Sequence, residues 1–293
     1  MTREFLRGCI PLLSGKQELI TSLQTNLGTE FERSLFEAGI NNLLDAYNPL
    51  RFNNFAYATR ELVREILSRL APKAEVLACS WYKNQTDKKD GITRNQRILY
   101  AIQGGLAENY VADKLQIDTD SIRTRIRDVI KTLNKHTHIQ PETFDIDPVT
   151  QDEYVSEALE ALRELFAVIA ESRQSVSAAL IDEIGEKLLR EVITQSIGEI
   201  DEVSTHHAVE DVETEQVEVA DITSCRIDLT VEGTIAAQLQ WGSNGDVRRG
   251  DGVVFGESFP FTCKLSSVTS EPGSFPEGVQ DLRVFNDDWF DET

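Results

Sequence analysis

Near Val209 the spacing of apolar residues changes from three-or-four to two, and no single regular element satisfies both periods. Upstream, Phe52, Phe55, Ala56, Thr59, Leu62, Val63, Ile66, Leu67 and Leu70 form an amphipathic helical stripe. Downstream, Val217 and Val219 alternate with Gln216 and Glu218, and Ile227, Leu229 and Val231 alternate with Arg226, Asp228 and Thr230. The pattern predicts an α+β chain: a helical N-terminal bundle and an αα-hairpin, followed by a C-terminal antiparallel β-sheet domain. At 293 residues the chain is long enough for two domains.

Punctuation refines the helical part, a domain over residues 1–140. Phe31, Leu35, Phe36, Leu43 and Leu44 share one face before a break at Asn48-Pro49, and Pro72 stops the long stripe. Residues 80–91 read as a polar connection, residues 92–135 as helical again, and residues 142–150 as a linker after Pro141. Over 151–201 two helices are expected. Val155, Leu159, Leu162, Phe166 and Ile169 lie in the first and Ile181, Ile184, Leu188, Val192 and Ile193 in the second, with a polar break at residues 171–175. Paired as an αα-hairpin they offer a surface for a homo-oligomer. In the β domain, residues 202–293, Glu232-Gly233 reads as a hairpin turn with residues 235–241 returning as the partner strand. Residues 242–252 form a loop, and residues 259–268 and 282–285 supply further strands.

Charge follows the same division. Residues 1–140 hold 20 Lys and Arg against 16 Asp and Glu, a balance of +4. Residues 141–293 hold 9 against 34, or −25, and the chain totals −21. Nucleic acid would therefore be engaged through the first part, the acidic part supplying solubility or imitating a polyanion; ordinary solubility beside a mildly basic domain is the plainer alternative. No apolar run reaches the roughly 18 to 20 residues of a membrane span. Glu4 and Arg7 interrupt the short N-terminal apolar patch, so no signal peptide and a cytoplasmic location are expected. Cys9, Cys79, Cys225 and Cys263 are scattered singly, a spacing that suits small buried hydrophobes better than a zinc site or disulfides.

Three local patterns carry candidate chemistry. Residues 92–133 resemble the helix-turn-helix of LuxR-type regulators, with Leu106, Val111, Leu115, Ile117, Ile122, Ile126 and Ile130 at its apolar positions and Asp118 as the cap of the second helix. That helix presents Arg123, Arg125, Arg127 and Lys131, and Arg94 and Arg97 precede it; these residue types suit phosphate and base-edge contacts. A structural three-helix unit is the other reading. Next, Asn134, His136 and His138 resemble the closing motif of HEPN ribonuclease bundles, which implies metal-independent RNA cleavage. That motif sets an Arg a few residues before its His, whereas here the nearest upstream is Arg127, and a helix-capping His remains the alternative. Third, Asp228 with Gln238 and Gln240 offers part of a restriction-type arrangement, for which the cofactor would be a divalent cation, but no Lys follows at the required spacing. No metal-ligand set has diagnostic spacing, His206-His207 included.

Several segments together resemble one prokaryotic family. They are Arg51-Phe-Asn-Asn-Phe-Ala-Tyr-Ala-Thr-Arg-Glu-Leu62, Ser80-Trp-Tyr-Lys83, Gln103-Gly-Gly-Leu106, Thr137-His138, Thr205-His-His207, Leu239-Gln-Trp-Gly242 with Asp246, and Ser258-Phe-Pro-Phe-Thr262. The family is the group of predicted nucleases associated with prokaryotic PIWI-type proteins. The resemblance implies a nuclease or nuclease-associated subunit in defence against phage and mobile elements, acting on nucleic acid beside a protein partner from the same operon. A non-enzymatic adaptor or DNA-binding regulator, using the helix-turn-helix-like segment and the acidic sheet as partner surfaces, stays open beside it.

Overall fold

The computed structural model describes Leu13, residues 15–193, residues 197–286 and Trp289. Its elements run α1 (Gln17–Asn26), α2 (Glu30–Leu44), α3 (Arg51–Leu70), α4 (Lys73–Ala78), α5 (Arg94–Gln103), a π-helical turn (Tyr110–Lys114), α6 (Thr119–Thr137) and α7 (Pro148–Val192). There follow α8 (Gly198–Asp201), β1 (His206–Ile222), β2 (Arg226–Trp241), α9 (Asn244–Arg249), β3 (Val253–Val268) and β4 (Gln280–Val284). Helices precede a four-stranded antiparallel sheet, as the change of period requires. The chain divides into two compact units: the described residues up to Gly104 with Gln116–Glu171, and Gly105–Leu115 with the residues from Ser172 onward.

The first unit is built on α3. Phe52, Phe55, Ala56, Leu62, Val63, Ile66 and Leu67 are buried along it, and Ile122, Ile126, Val129, Ile130 and Leu133 line the buried face of α6. The breaks at Asn48-Pro49 and at Pro72 fall where expected, with Pro72 standing as the N-cap of α4. A Cβ on Gly39 of α2 would lie 3.3 Å from the Ala58 Cβ of α3, so two small residues set how closely those helices approach. Asp118 caps α6 through the amides of Asp120 and Ser121, as its position predicts. The stretch expected to be helical over residues 92–135 is instead divided into α5, the π-helical turn and α6. Glu32, 1% exposed, takes Arg69 Nε at 2.7 Å and Nη2 at 3.0 Å and the Gly28 amide at 2.8 Å.

The middle of the chain is helical, but as one helix rather than a hairpin: α7 runs through residues 171–175 unbroken. The polar run there contains neither Gly nor Pro, and polarity by itself leaves the i to i−4 hydrogen bonds intact. Continuity also moves the buried register. Val176, Leu180, Ile184, Leu188 and Val192 are buried, while the expected Ile181 and Ile193 are exposed.

In the second unit the sheet is a meander in the order β1-β2-β3-β4. Ile227, Leu229, Val231, Ile235, Ala237 and Leu239 of β2 share the inner face with Phe259, Phe261, Cys263 and Leu265 of β3. The C-terminal part of α7 is tied to the sheet by Ser177 Oγ, which donates to the Val217 carbonyl, and by Glu191, which accepts the Val279 amide at 2.6 Å. Glu232-Gly233 is not a turn. It lies inside β2, with Gly233 paired to Thr214 and Phe261. A Cβ at Gly233 would stand 2.0 Å from the Glu213 carbonyl oxygen, beside a bulge between Thr214 and Gln216, so the glycine answers a close backbone approach. The outer face is polar. On edge strand β1, Glu210, Asp211, Glu213, Glu215, Glu218 and Asp221 are all exposed. Bulges interrupt β1 pairing at three places.

Cys79 and Cys263 are buried as expected, and burial pushes each thiol up to about 12, so both stay protonated. Cys225 is exposed, against expectation, because it lies in the short connection between β1 and β2. Cys9 lies outside the described residues.

Candidate functional site

The arginines of α6 are already engaged. Arg125 Nε donates to Glu157 Oε1 at 2.9 Å, and its Nη1 reaches Glu164, both carboxylates belonging to α7. Arg123 pairs with Asp120, and Arg127 Nε lies 3.4 Å from Asp128. Arg97 is turned inward, donating to the Ala71 carbonyl at 2.6 Å and so closing the C-terminus of α3; burial lowers its pKa from the ordinary value. Lys131 and Arg94 are exposed, and neither makes a salt bridge among the described residues. The residue types a reading helix needs are present, but three of the six cations are neutralised by neighbours.

Of the candidate catalytic groups, His136 is the most enclosed. It is 3% exposed and shut between Phe52, edge-on with ring centroids 5.0 Å apart, and Tyr154 at 5.5 Å. Its Nδ1 has no hydrogen-bond partner among the described residues. Burial, with the charge of Lys135 second, lowers its pKa against a weaker upward pull from Thr143, so the ring is neutral at neutral pH. The helix end is held by Asn53, whose Nδ2 donates to the carbonyls of His136 at 2.8 Å and Thr143 at 3.0 Å. Arg51, 8% exposed, donates from Nε to Gln151 Oε1 at 2.8 Å and has no carboxylate partner among the described residues. Arg51, Asn53, His136, Gln151 and Tyr154 thus gather where α3, α6 and the start of α7 meet. Beside them a cleft of about 160 Å³ is lined by Asp128, Val129, Thr132, Leu133, Tyr154 and Glu157.

A neutral imidazole and a guanidinium are the groups that metal-independent phosphodiester cleavage uses for proton transfer and charge stabilisation. His136, however, has almost no surface to offer a substrate. His138 is exposed at the C-cap of α6, its carbonyl accepting Thr143 Oγ1 at 2.7 Å. Asn134 is half-buried, and its carbonyl accepts Thr137 Oγ1 at 2.8 Å. Sequence reasoning missed Arg51, Asn53, Gln151 and Tyr154. The Arg51–Gln151 and Asn53–His136 contacts span 100 and 83 positions, beyond the reach of local spacing.

Asp228 belongs to the other unit, on the outer face of β2. One carboxylate oxygen accepts Ser266 Oγ at 2.9 Å and the other accepts Arg226 Nε at 3.0 Å. Its neighbours in register are Asp221 and Ser266, and Gln238 and Gln240 lie ten and twelve positions on along the same strand. Asp246 closes a capping box with Ser243 at the start of α9 and pairs with Arg249, which explains its lowered pKa. His207 Nδ1 lies 2.9 Å from Asp201 Oδ1. Among the described residues no group of three or more His, Cys, Asp or Glu could hold a metal ion.

Two family models match the chain, over residues 24–162 and 169–290, and both are described as predicted pPIWI-associating nuclease. The chain belongs to the predicted pPIWI-associating nuclease family. No curated protein and no solved structure matches it. In this member of the family the two matched stretches meet inside α7, between Leu162 and Ile169. The first contains the whole Arg51–His136 junction and the second contains Asp228, so each candidate catalytic group falls within a part of the chain that the family shares. Among the described residues no helix is long and apolar enough to cross a membrane.

Proposed function

We propose that the chain is a nuclease-related subunit of a prokaryotic system that defends against phage and mobile elements, engaging nucleic acid through its helical unit and cleaving it only in company with a protein partner. The observation that carries this reading is the condition of its own reactive groups. His136 is closed into the core, and Asp228 is occupied by Arg226 and Ser266. Nuclease chemistry needs such groups exposed to substrate or preorganised around a cation. The family description, which couples the nuclease to a pPIWI protein, points to where the missing exposure would arise. The test is to purify the chain alone and co-expressed with a pPIWI protein, then assay single- and double-stranded DNA and RNA with Mg²⁺ or Mn²⁺. Cleavage confined to the pair is expected. Robust cleavage by the lone chain, abolished by Asp228→Ala or His138→Ala, would overturn the proposal.

A second reading, a non-enzymatic adaptor, draws support from the outer face of the sheet. Its row of exposed carboxylates on β1 suits a basic protein surface. Binding to the pPIWI protein without any gain of cleavage would favour it.

A further inference from the structure

The connection between α4 and α5 is more ordered than its polar composition suggests. Asn84 Nδ2 donates to the Lys88 carbonyl at 2.9 Å and Asn84 Oδ1 accepts the Thr86 amide at 2.9 Å. Tyr82 OH donates to the Gly91 carbonyl at 2.9 Å, and Gln96 Nε2 donates to the Lys83 carbonyl at 2.7 Å. Trp81 Nε1 anchors the start of the segment on the Gly104 carbonyl at 2.9 Å. A Cβ on Gly91 would fall 1.7 Å from Thr86 Oγ1, so a larger residue there would have to displace the Thr86 hydroxyl from its hydrogen bonds. Thr93 and Gln96 close a capping box at the start of α5.

This fixed loop holds Lys83, Lys88 and Lys89 exposed, with Arg94 exposed at the first position of α5. None of the four makes a salt bridge among the described residues, in contrast to the paired arginines of α6. Asp87 and Asp90 are the acidic residues within the loop. Partial burial of its side chain, and after it the charge of Arg60, lower the pKa of Arg94 from the ordinary value. Arg60 lies over the ring of Tyr57, 5.3 Å from its centroid, and Tyr57 is 55% exposed. Glu61 takes Arg60 at 2.7 Å, so that cation is partly satisfied and the other four are not.

We infer that the nucleic-acid contact of this protein is the loop and helix start carrying Lys83, Lys88, Lys89 and Arg94, with Tyr57 and Arg60 beside them, and that its ligand is the phosphate backbone. The inference rests on the proposed function and says where the contact lies: away from α6, where a reading helix would sit. Uncommitted cations on a rigid frame release counterions when they meet phosphates, whereas an arginine already paired with a carboxylate gains little by the exchange.

The experiment uses the full chain, fluorescence anisotropy, and labelled single-stranded DNA, single-stranded RNA and duplex DNA. Four phosphate contacts, at about 0.9 each in the log–log salt slope, weaken affinity about 150-fold between about 50 and 200 mM salt. K83Q/K88Q/K89Q/R94Q should weaken binding by at least about tenfold and flatten that slope by about 3.6, with Tm unchanged. R123Q/R127Q/K131Q on α6 should bind nearly as the wild type does. If the α6 variant loses binding and the loop variant keeps it, the inference falls while the proposed function stands. If the wild type binds none of the three probes, both fall.

Discussion

Arg69→Met tests whether one cation holds the helical unit together against its own buried carboxylate. Glu32 has a side chain 2% exposed against 32% for Arg69, so the two partners are not equivalent. Removing Glu32 leaves a guanidinium that water can reach, whereas removing Arg69 leaves a carboxylate in the core with only the amides of Gly28 and the helix start. The first loss should cost about 1 kcal/mol, as for exposed pairs. The second should approach about 3 kcal/mol, the lower end for a stranded buried ion, because the Gly28 hydrogen bond survives. At about 2–4 °C per kcal/mol for a unit of this size, Arg69→Met should lower Tm by about 6–12 °C.

The pH dependence carries the sharper sign. In the wild type burial raises the Glu32 pKa, but the hydrogen bonds and charge of Arg69 and the Gly28 amide lower it further, to a net depression. That stabilisation is present above the unfolded value of about 4.3 and is lost as pH falls through the folded value. Without Arg69 burial prevails and the pKa rises above about 4.3, so the variant's deficit is full at neutral pH and shrinks on acidification. Urea unfolding followed by far-UV circular dichroism at several pH values reads both effects. A stranded buried carboxylate is ruled out if Arg69→Met costs no more than Glu32→Gln, or if its deficit is as large under mild acid as at neutral pH.

Two further outcomes are expected. His136, held neutral by burial, contributes stability that is fully present above about pH 6.5 and is lost as pH falls toward its depressed folded value; His136→Leu should remove that part of the acid sensitivity, and an unchanged pH profile of stability would contradict it. Gly233→Ala forces a methyl against the Glu213 carbonyl and should cost about 2–3 kcal/mol, whereas a turn at this position would tolerate the change; near-neutral unfolding data would count against the reading of Gly233.

The elements most legible in the sequence were those whose periodicity did the work of folding. The α3 stripe stands as spaced because it is the centre of its unit, and the alternation in β2 survives because one face is buried and the other is wet. Punctuation misled where its usual meaning was overridden. Glu232-Gly233 has the composition of a turn, yet the glycine accommodates a neighbouring strand, and the polar stretch at residues 171–175 lacks any residue that breaks a helix. The site was legible only in part. His136 drew attention by its spacing, but its burial, and the company of Arg51 and Gln151, arise from contacts about a hundred positions apart. Charge alone also concealed that Arg125 is held by Glu157 and Glu164, while the lysines of an ordinary-looking connection make no salt bridge among the described residues.

The β1 edge of the sheet has a consequence for how this protein behaves at high concentration. A seventeen-residue edge strand would ordinarily recruit another copy of itself, hydrogen bond by hydrogen bond. Here six carboxylates repel any identical strand laid alongside, and three breaks in register deny it a straight template. The two safeguards differ in what removes them. Concentrated salt screens the first and leaves the second, so a solution kept clear by repulsion at low ionic strength is then guarded by backbone shape alone.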